Sequence, residues 1–255
     1  MAPDVNIAEV IEHREARDRR LRSKDGWLAL VERVILDEGD NAVDGGTATL
    51  RDGDVTLRIA GETFTWKKSQ PSAGRYFFRG ERRYEILRQA TKVGVRVRDP
   101  SSEVLQRFGG LEFYDVDIAR YRVKARVLGP PRTLTLQVGL GVDVDHDVPG
   151  TLTFSIDGRE LTMDAVIDED AADRLFLIFK DATNGKGTYG AGRFLYAPLP
   201  DANGDVVVDF NKCFNPPCAL TDFASCPIVP PQNRFPIAIE AGEKYPALSS
   251  SSSSE

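Results

Sequence analysis

Two stretches of the chain gather the residue types that chemistry uses. The first, DFNKCFNPPCALTDFASCPIVPPQNRFPIAIEAGEKY (Asp209 to Tyr245), holds all three cysteines, six of the fifteen prolines and the asparagines Asn211, Asn215 and Asn233. The second, DATNGKGTYGAGR (Asp181 to Arg193), is a glycine-rich run carrying Lys186, Tyr189 and Arg193. Structural zinc takes four ligands, often from closely spaced cysteine pairs. Here four and seven residues separate Cys213, Cys218 and Cys226, and the only histidines, His13 and His146, are far off in sequence. No metal site is expected. A Cys218–Cys226 disulfide or a buried pair of small apolar thiols fits the spacing better. A catalytic thiolate needs a nearby base or cation, a role open to Lys212 or Lys244 only if the fold brings one close.

The glycine-rich run is not a phosphate-binding P-loop, because Gly187 follows Lys186 where Ser or Thr is required. It also fails the dinucleotide fingerprint, since a strand follows where a helix is needed. Two readings remain: a long connection between strands, or a nest of backbone N–H groups that holds an anion with help from Lys186 and Arg193. Arg193 has the fork geometry to grip a carboxylate or phosphate.

Other candidates read as scaffold. GVDVDHDVPG places Asp143, Asp145 and Asp147 on one face of an extended chain, which suits a hard cation. The spacing departs from the EF-hand pattern, and a charged strand edge that discourages aggregation explains it better. Gly74 to Arg98 carries eight Lys/Arg among Tyr76, Phe77, Phe78 and Tyr84. That mixture can bind RNA or an anionic metabolite, but in a chain of net charge -6 it reads as a solvated basic face. With two histidines and no G-x-S-x-G elbow, a hydrolase triad is unsupported.

The elements that must position these residues are mostly strands. Asn6 to Arg22 has helical spacing, with Ile7, Val10, Ile11 and Leu21 approximating one apolar face and Asp4 or Asn6 as cap. Gly26 to Asn41 is ambiguous between helix and strand. Beyond it, runs such as VTLRI, ETFTW, VGVRVRD, YRVKARVL, RTLTLQVGL and TLTFSI alternate apolar with polar residues, and LFLIF reads as a central strand. Ala60-Gly61, Asp157-Gly158 and Asn203-Gly204 mark turns between them. The expected fold is therefore all-β, with mainly antiparallel sandwich or barrel-like sheets, an N-terminal helix and an irregular proline-rich C-terminal strap. The expected organisation is a helix over 1–25, a smaller β subdomain over 26–98, a larger β domain over 99–245 and a disordered serine-rich tail over 246–255.

Composition narrows the setting. A chain of 255 residues can bury a core without a metal or disulfide. No apolar run reaches the ~18–20 residues of a membrane span, the amino terminus lacks the apolar stretch of a signal peptide, and the odd number of cysteines fits a reducing compartment. A cytoplasmic protein with no membrane partner is expected, and the acidic balance argues against nucleic acid.

Three blocks carry a resemblance: FLIFKDATNGKGTYGAGRFLY followed by VVVDFNKCFNPPCALTDFASCPIVPPQNRFPIAIEAGEKY, the opening HREARDRRLRSKDGWLALVERVILDEGDN, and VRVRDPSSEVLQRFGGLEFYDVDIARYRVKARV. Together they resemble the prokaryotic domain of unknown function 1684 family. That resemblance implies no activity or cofactor. It does mark the polar positions matching the family pattern: Tyr189, Arg193, Asp209, Asn211, Asn215, Cys218, Cys226, Asn233, Glu243 and Lys244. Cys213 departs from it, alanine being usual there, which weakens any three-cysteine metal proposal. The turn Glu38-Gly39-Asp40-Asn41 also resembles that of forkhead-associated β-sandwiches, although a phosphothreonine-reading Arg/Ser set is lacking.

Two expectations follow. In one, an anionic small molecule binds between loop 181–193 and segment 209–245. Arg193 and Lys244 hold its charge, Asp209 and Glu243 serve as acceptors or general base, and Tyr189, Asn211, Asn215 and Asn233 also line the site. In the other, 209–245 is a stabilising strap, its prolines keep it out of the central ladder, and Arg193 pairs with Asp209 or Glu243 inside the protein. A third class, interaction through the basic strands or the tail, predicts strongly salt-dependent association.

Overall fold

The hairpins form where the turn residues tolerate positive φ. Ala60-Gly61 (φ 48° and 84°) and Asp157-Gly158 (51° and 73°) adopt the left-handed pair that two-residue hairpins need. Asp44-Gly45 and Asp52-Gly53 do the same. At Asn203-Gly204 only the glycine is left-handed, and the Asp201 carboxylate holds the turn by accepting from the N–H groups of Asn203 and Asp205 at 2.8 and 2.9 Å. This computed structural model describes residues 5–70, 76–89, 91–139, 141–167 and 172–245. The proposed cap Asp4, Arg75 of the basic stretch and the serine-rich tail lie outside the described residues.

The elements run in chain order as α1 (Val5–Arg22), β1 (Leu30–Ile35), β2 (Gly39–Val43), β3 (Gly46–Arg51), β4 (Asp54–Ile59), β5 (Glu62–Trp66), β6 (Tyr76–Arg79), β7 (Arg82–Gln89), β8 (Lys92–Arg98), α2 (Glu103–Arg107), α3 (Ile118–Tyr121), β9 (Arg122–Leu128), β10 (Arg132–Val138), β11 (Val142–Val148), β12 (Thr151–Ile156), β13 (Arg159–Ile167), β14 (Arg174–Phe179), β15 (Arg193–Pro198) and β16 (Asp205–Asp209). Every strand pairing among them is antiparallel. The ambiguous Gly26–Asn41 stretch resolves into one 3-10 turn at Trp27–Ala29 followed by strand. No helix among the described residues is long and apolar enough to cross a membrane.

The chain forms two compact units, one made of 1–18, 109–220 and 225–255, the other of 19–108 and 221–224. The second is a sandwich of two four-stranded sheets, ordered β1-β8-β7-β6 and β2-β3-β4-β5. Val43, Leu50, Val55, Leu57 and Trp66 from one sheet meet Tyr84, Ile86, Val95 and Val97 from the other in a shared core. Where the Glu38–Asn41 turn was expected, β2 already begins at Gly39, and Asn41 within it accepts from the Asp37 N–H and donates to the carbonyls of Asp37 and Gly39. The basic stretch is occupied by ion pairs: Arg82 with Asp44 and Asp99, Arg83 with Asp25, and Arg98 with Glu85. Arg82, 39% exposed, fits a solvated basic face, but Arg98 is buried and is held by its pairing instead.

The first unit is a six-stranded sheet, ordered β15-β14-β13-β12-β9-β16, whose two edge strands also lie beside each other, making it nearly closed and barrel-like. Alternation along the strands sends Leu152, Phe154 and Ile156 inward to meet Leu175, Leu177, Phe179, Val208 and Phe210. The β10–β11 hairpin covers part of the outer face, with Leu136 and Val148 packed on Val166, Ile178 and Phe194. Asp143, Asp145 and Asp147 stand on its exposed side, as the strand-edge reading expects.

Helix α1 keeps most of its expected apolar face: Val10 and Leu21 are buried and Ile7 half-buried, but Ile11 is 46% exposed. The helical row that meets the first unit is Val10, His13, Arg14 and Arg17, because three polar side chains find carbonyl or carboxylate partners there. His13 Nε2 lies 3.1 Å from the Lys212 carbonyl, so the neutral ring donates to it. Burial, then the Lys212 and Arg17 charges, outweigh that carbonyl and hold the imidazole pKa below its ordinary 6.5. A base whose folded pKa is depressed stays neutral in the native state while the unfolded chain takes up a proton. Its stabilising contribution is present above pH 6.5 and is lost as pH falls through the lower folded value. Denaturant titrations between pH 7.5 and 5 are expected to show this loss in the wild type and a flatter profile in His13→Gln, which donates without titrating.

Candidate functional site

The polar residues of 181–193 and 209–245 lie in the first unit, and four clusters account for most of them. The central one is built on Arg193, the first residue of β15, which alternation turns into the barrel. Its side chain is 0% exposed. One terminal nitrogen donates to the Asp181 carboxylate at 2.6 Å and the Ile239 carbonyl at 2.7 Å, and the other to the Ala241 carbonyl. Burial alone would lower the guanidinium pKa, but charge interactions with Cys213 and Asp181 raise it overall, so Arg193 is a buried cation. Its partner is Asp181, not the expected Asp209 or Glu243. Those two are occupied elsewhere, and Asp181 sits at the other end of the same loop.

The loop satisfies itself. Asp181 also accepts from the Thr183 N–H (2.8 Å) and hydroxyl (2.6 Å), and Asn184 bonds to the Asp181 N–H, the Thr188 hydroxyl and the Tyr189 carbonyl. The backbone N–H groups of Asn184, Gly185, Lys186, Gly187 and Thr188 all donate to carbonyls inside the loop. None of the five is left to cradle an anion, and the connection reading of this run describes it better than the nest. Two of its glycines answer to crowding. A Cβ on Gly187 would stand 2.3 Å from the Tyr114 hydroxyl, and one on Gly192 (φ 119°) would stand 2.7 Å from the Phe179 carbonyl oxygen.

Glu243 centres the second cluster. It is buried, accepts from Arg17 Nε at 3.0 Å and from the Asn215 N–H at 2.8 Å, and burial raises its pKa despite the Arg17 charge. Asn215 then donates its amide to the Lys244 carbonyl at 2.7 Å. Asp209 centres the third. It accepts from the Asn211 N–H and amide and pairs with Arg122 at 3.3 Å, while Asn211 brackets the backbone of Asp117 with one acceptor and one donor bond. Asn233 forms the fourth, accepting from the Asp164 N–H and donating to the carbonyls of Asp164 and Ile178, so it bridges β13 and β14. Arg193 Nε and Asn215 Oδ1 are buried without a hydrogen-bond partner among the described residues.

Segment 209–245 is also tied in through its backbone. Phe214 exchanges two 2.8 Å hydrogen bonds with Phe194, Phe235 donates to Lys180 at 2.7 Å, and Glu243 donates to Cys213 at 2.9 Å. Cys213 is buried with its thiol pKa pushed up to about 12 by desolvation, as an inert core side chain. All three cysteines are thiols, and the described residues contain no group of three metal-capable side chains. Lys212 pairs with Glu9 at 3.4 Å and Lys244 stands over the Tyr114 ring at 5.2 Å. Tyr189 donates to the Cys218 carbonyl at 3.1 Å and stacks on Tyr245, which is 51% exposed.

Sequence reasoning therefore found one side of each pair and missed the other: Asp181, Arg17, Arg122, Asp117 and Asp164. Asp181 alone had a local signal, as the first residue of the quoted loop. The crowding at Gly192 gives a check. Gly192→Ala is expected to destabilise the protein by about 1–3 kcal/mol, a strained left-handed residue plus an overpacked contact. Gly190→Ala, with no atom closer than 3.9 Å to the added carbon, is expected to be near neutral. Urea unfolding of both variants reads the contrast.

A solved structure similar to the chain is the solution NMR structure of an uncharacterized protein from Haloarcula marismortui. It is 31% identical, with 55% of this chain and 78% of that one covered and a TM-score of 0.44. None of the curated proteins matches the chain. The family described as protein of unknown function (DUF1684) matches residues 106–244, more than half of the chain and every residue of the four clusters except Arg17. The chain belongs to the DUF1684 family.

Proposed function

We propose that this protein is a non-catalytic β module in which 209–245 is a stabilising strap. What supports the reading is the sealing of Arg193: its cation is spent on Asp181 and on two carbonyls of the strap itself, Ile239 and Ala241. Asp209, Asn211, Asn233 and Glu243 likewise direct their side chains to backbone or to buried ion pairs. Prolines at 216, 217, 230 and 231 fit a segment that crosses the sheet without joining its ladder. Side chains must then satisfy the backbone groups that no ladder reaches, which is how the asparagines are used.

The anionic-ligand reading keeps one foothold, the rim of this region. There the partly exposed Lys244 stands over Tyr114, and the Tyr189–Tyr245 stack ends in an exposed ring. An anion reaching Arg193 itself would have to displace the Asp181 carboxylate.

Arg193→Met separates the readings. The strap predicts a loss of about 3–5 kcal/mol, the cost of leaving one partner of a buried pair behind. For a protein of this size that corresponds to a Tm lower by roughly 6–20 °C. A Tm within about 2 °C of wild type, less than 1 kcal/mol on the same scale, together with lost binding of inorganic phosphate in calorimetry, would instead favour the ligand site.

A further inference from the structure

Cys218 and Cys226 are set up differently from Cys213. Cys218 sits in a 3-10 turn at Pro217–Ala219 that the rigid Pro216-Pro217 pair delivers. Cys226 is followed by Pro227, which bridges to Val138, and its carbonyl accepts from the Gly139 N–H at 3.0 Å. Both backbones are thus held, and they hold the thiols together. The Cys226 sulfur accepts from the Cys218 N–H at 3.3 Å, which sets the second thiol against the first residue. The Tyr189 hydroxyl is within bonding reach of the Cys218 sulfur as well as its carbonyl. Both cysteines are half-buried, unlike the fully buried Cys213.

Of these contacts, the Cys226 thiol and the Tyr189 hydroxyl favour a thiolate at Cys218, whereas the Cys218 N–H favours charge on the Cys226 sulfur. The Cys226 thiol, despite burial, and then the Tyr189 hydroxyl and the Cys218 backbone lower its pKa to about 7. The same neighbour acts in reverse on Tyr189: burial and the Cys218 sulfur push the phenol upward, leaving it a donor. A half-exposed, low-pKa thiol beside a second thiol is the arrangement that oxidant-reactive cysteines share.

We propose that Cys218 and Cys226 form a reversible oxidation site, with Cys218 the attacking thiolate, Cys226 the resolving thiol and a hydroperoxide the oxidant. In the first step the Cys218 sulfur attacks one peroxide oxygen. An S–O bond forms, the O–O bond breaks, and the departing oxygen takes a proton and leaves as alcohol or water. The Cys226 sulfur then attacks the sulfenic sulfur. The S–S bond forms, the S–O bond breaks, and hydroxide leaves as water with the Cys226 proton. Two thiols lose two electrons and the peroxide gains them. Tyr189 is a positioning residue whose hydroxyl, donating to the Cys218 carbonyl at rest, turns to the sulfur when the thiolate forms. The site does not depend on the strap reading, because its chemistry concerns half-buried thiols and not the buried clusters.

The experiment is cysteine mapping by mass spectrometry on the full-length protein. With iodoacetamide at pH 7, Cys218 is expected to be alkylated first and Cys213 last. Hydrogen peroxide at one equivalent is expected to give a single intrachain Cys218–Cys226 linkage that dithiothreitol reverses. In Cys226→Ser the same treatment is expected to leave a sulfenic acid at Cys218, trapped by dimedone. Tyr189→Phe is expected to slow Cys218 alkylation several-fold at pH 7 but not at pH 10, a pH-dependent signature that a packing defect would not produce. Alkylation of Cys226 ahead of Cys218, a linkage through Cys213, or oxidation confined to methionines would each overturn the proposal.

Discussion

A guanidinium enclosed in a β-barrel must have its charge met by acceptors, and that requirement organises the first unit. An unpaired buried charge is not tolerated, so the chain has to bring a carboxylate and carbonyl oxygens to Arg193. Asp181 is delivered by the loop that precedes β15, and Ile239 and Ala241 by the end of the strap. One side chain therefore fixes two irregular segments against a regular sheet. The remaining clusters extend the same solution. Asn233 ties the strap to β13 and β14, Asn215 and Glu243 tie its two ends to each other and to α1, and Asn211 ties its start to the Asp117 turn.

Buried ion pairs add little net stability compared with well-packed apolar residues, because desolvation offsets most of the Coulombic gain. What they add is intolerance of alternatives. A strap shifted by one residue would place Arg193 against an N–H instead of a carbonyl and leave both unsatisfied. Specificity of placement is the physical return on such a network. A binding pocket and a buried polar core draw on the same residue types, so the two look alike in the sequence.

Much of the fold was legible. Alternation gave the strands, and Ala60-Gly61 and Asp157-Gly158 gave their hairpins, because both signals are local. The proline pairs gave the strap's irregular course for the same reason. The site was legible by halves. Arg193, Asp209, Asn233 and Glu243 stood out in the sequence, and Asp181 lay in the same quoted loop as Arg193, but Arg122, Asp164 and Arg17 did not stand out, since partnership across dozens to hundreds of residues leaves no periodic trace. Helix α1 illustrates the point. Arg14 and Arg17 look like solvated charges by helical periodicity, and only the carbonyls of Asn211 and Asn215 make them the docking face. Ile11, taken for the core by type, stays exposed because those arginines set the helix's rotation.

The central claim is that the strap is part of the barrel and not a cover upon it. Native-state hydrogen exchange reads this directly, since amides in one cooperative unit open with one free energy. The backbone N–H groups of Phe214, Phe235 and Glu243, all bonded within the first unit, are predicted to exchange with the same opening free energy as that of Leu177 in β14. Exchange of those three at a much lower free energy, with Leu177 still protected, would show a strap that opens by itself and would contradict the account.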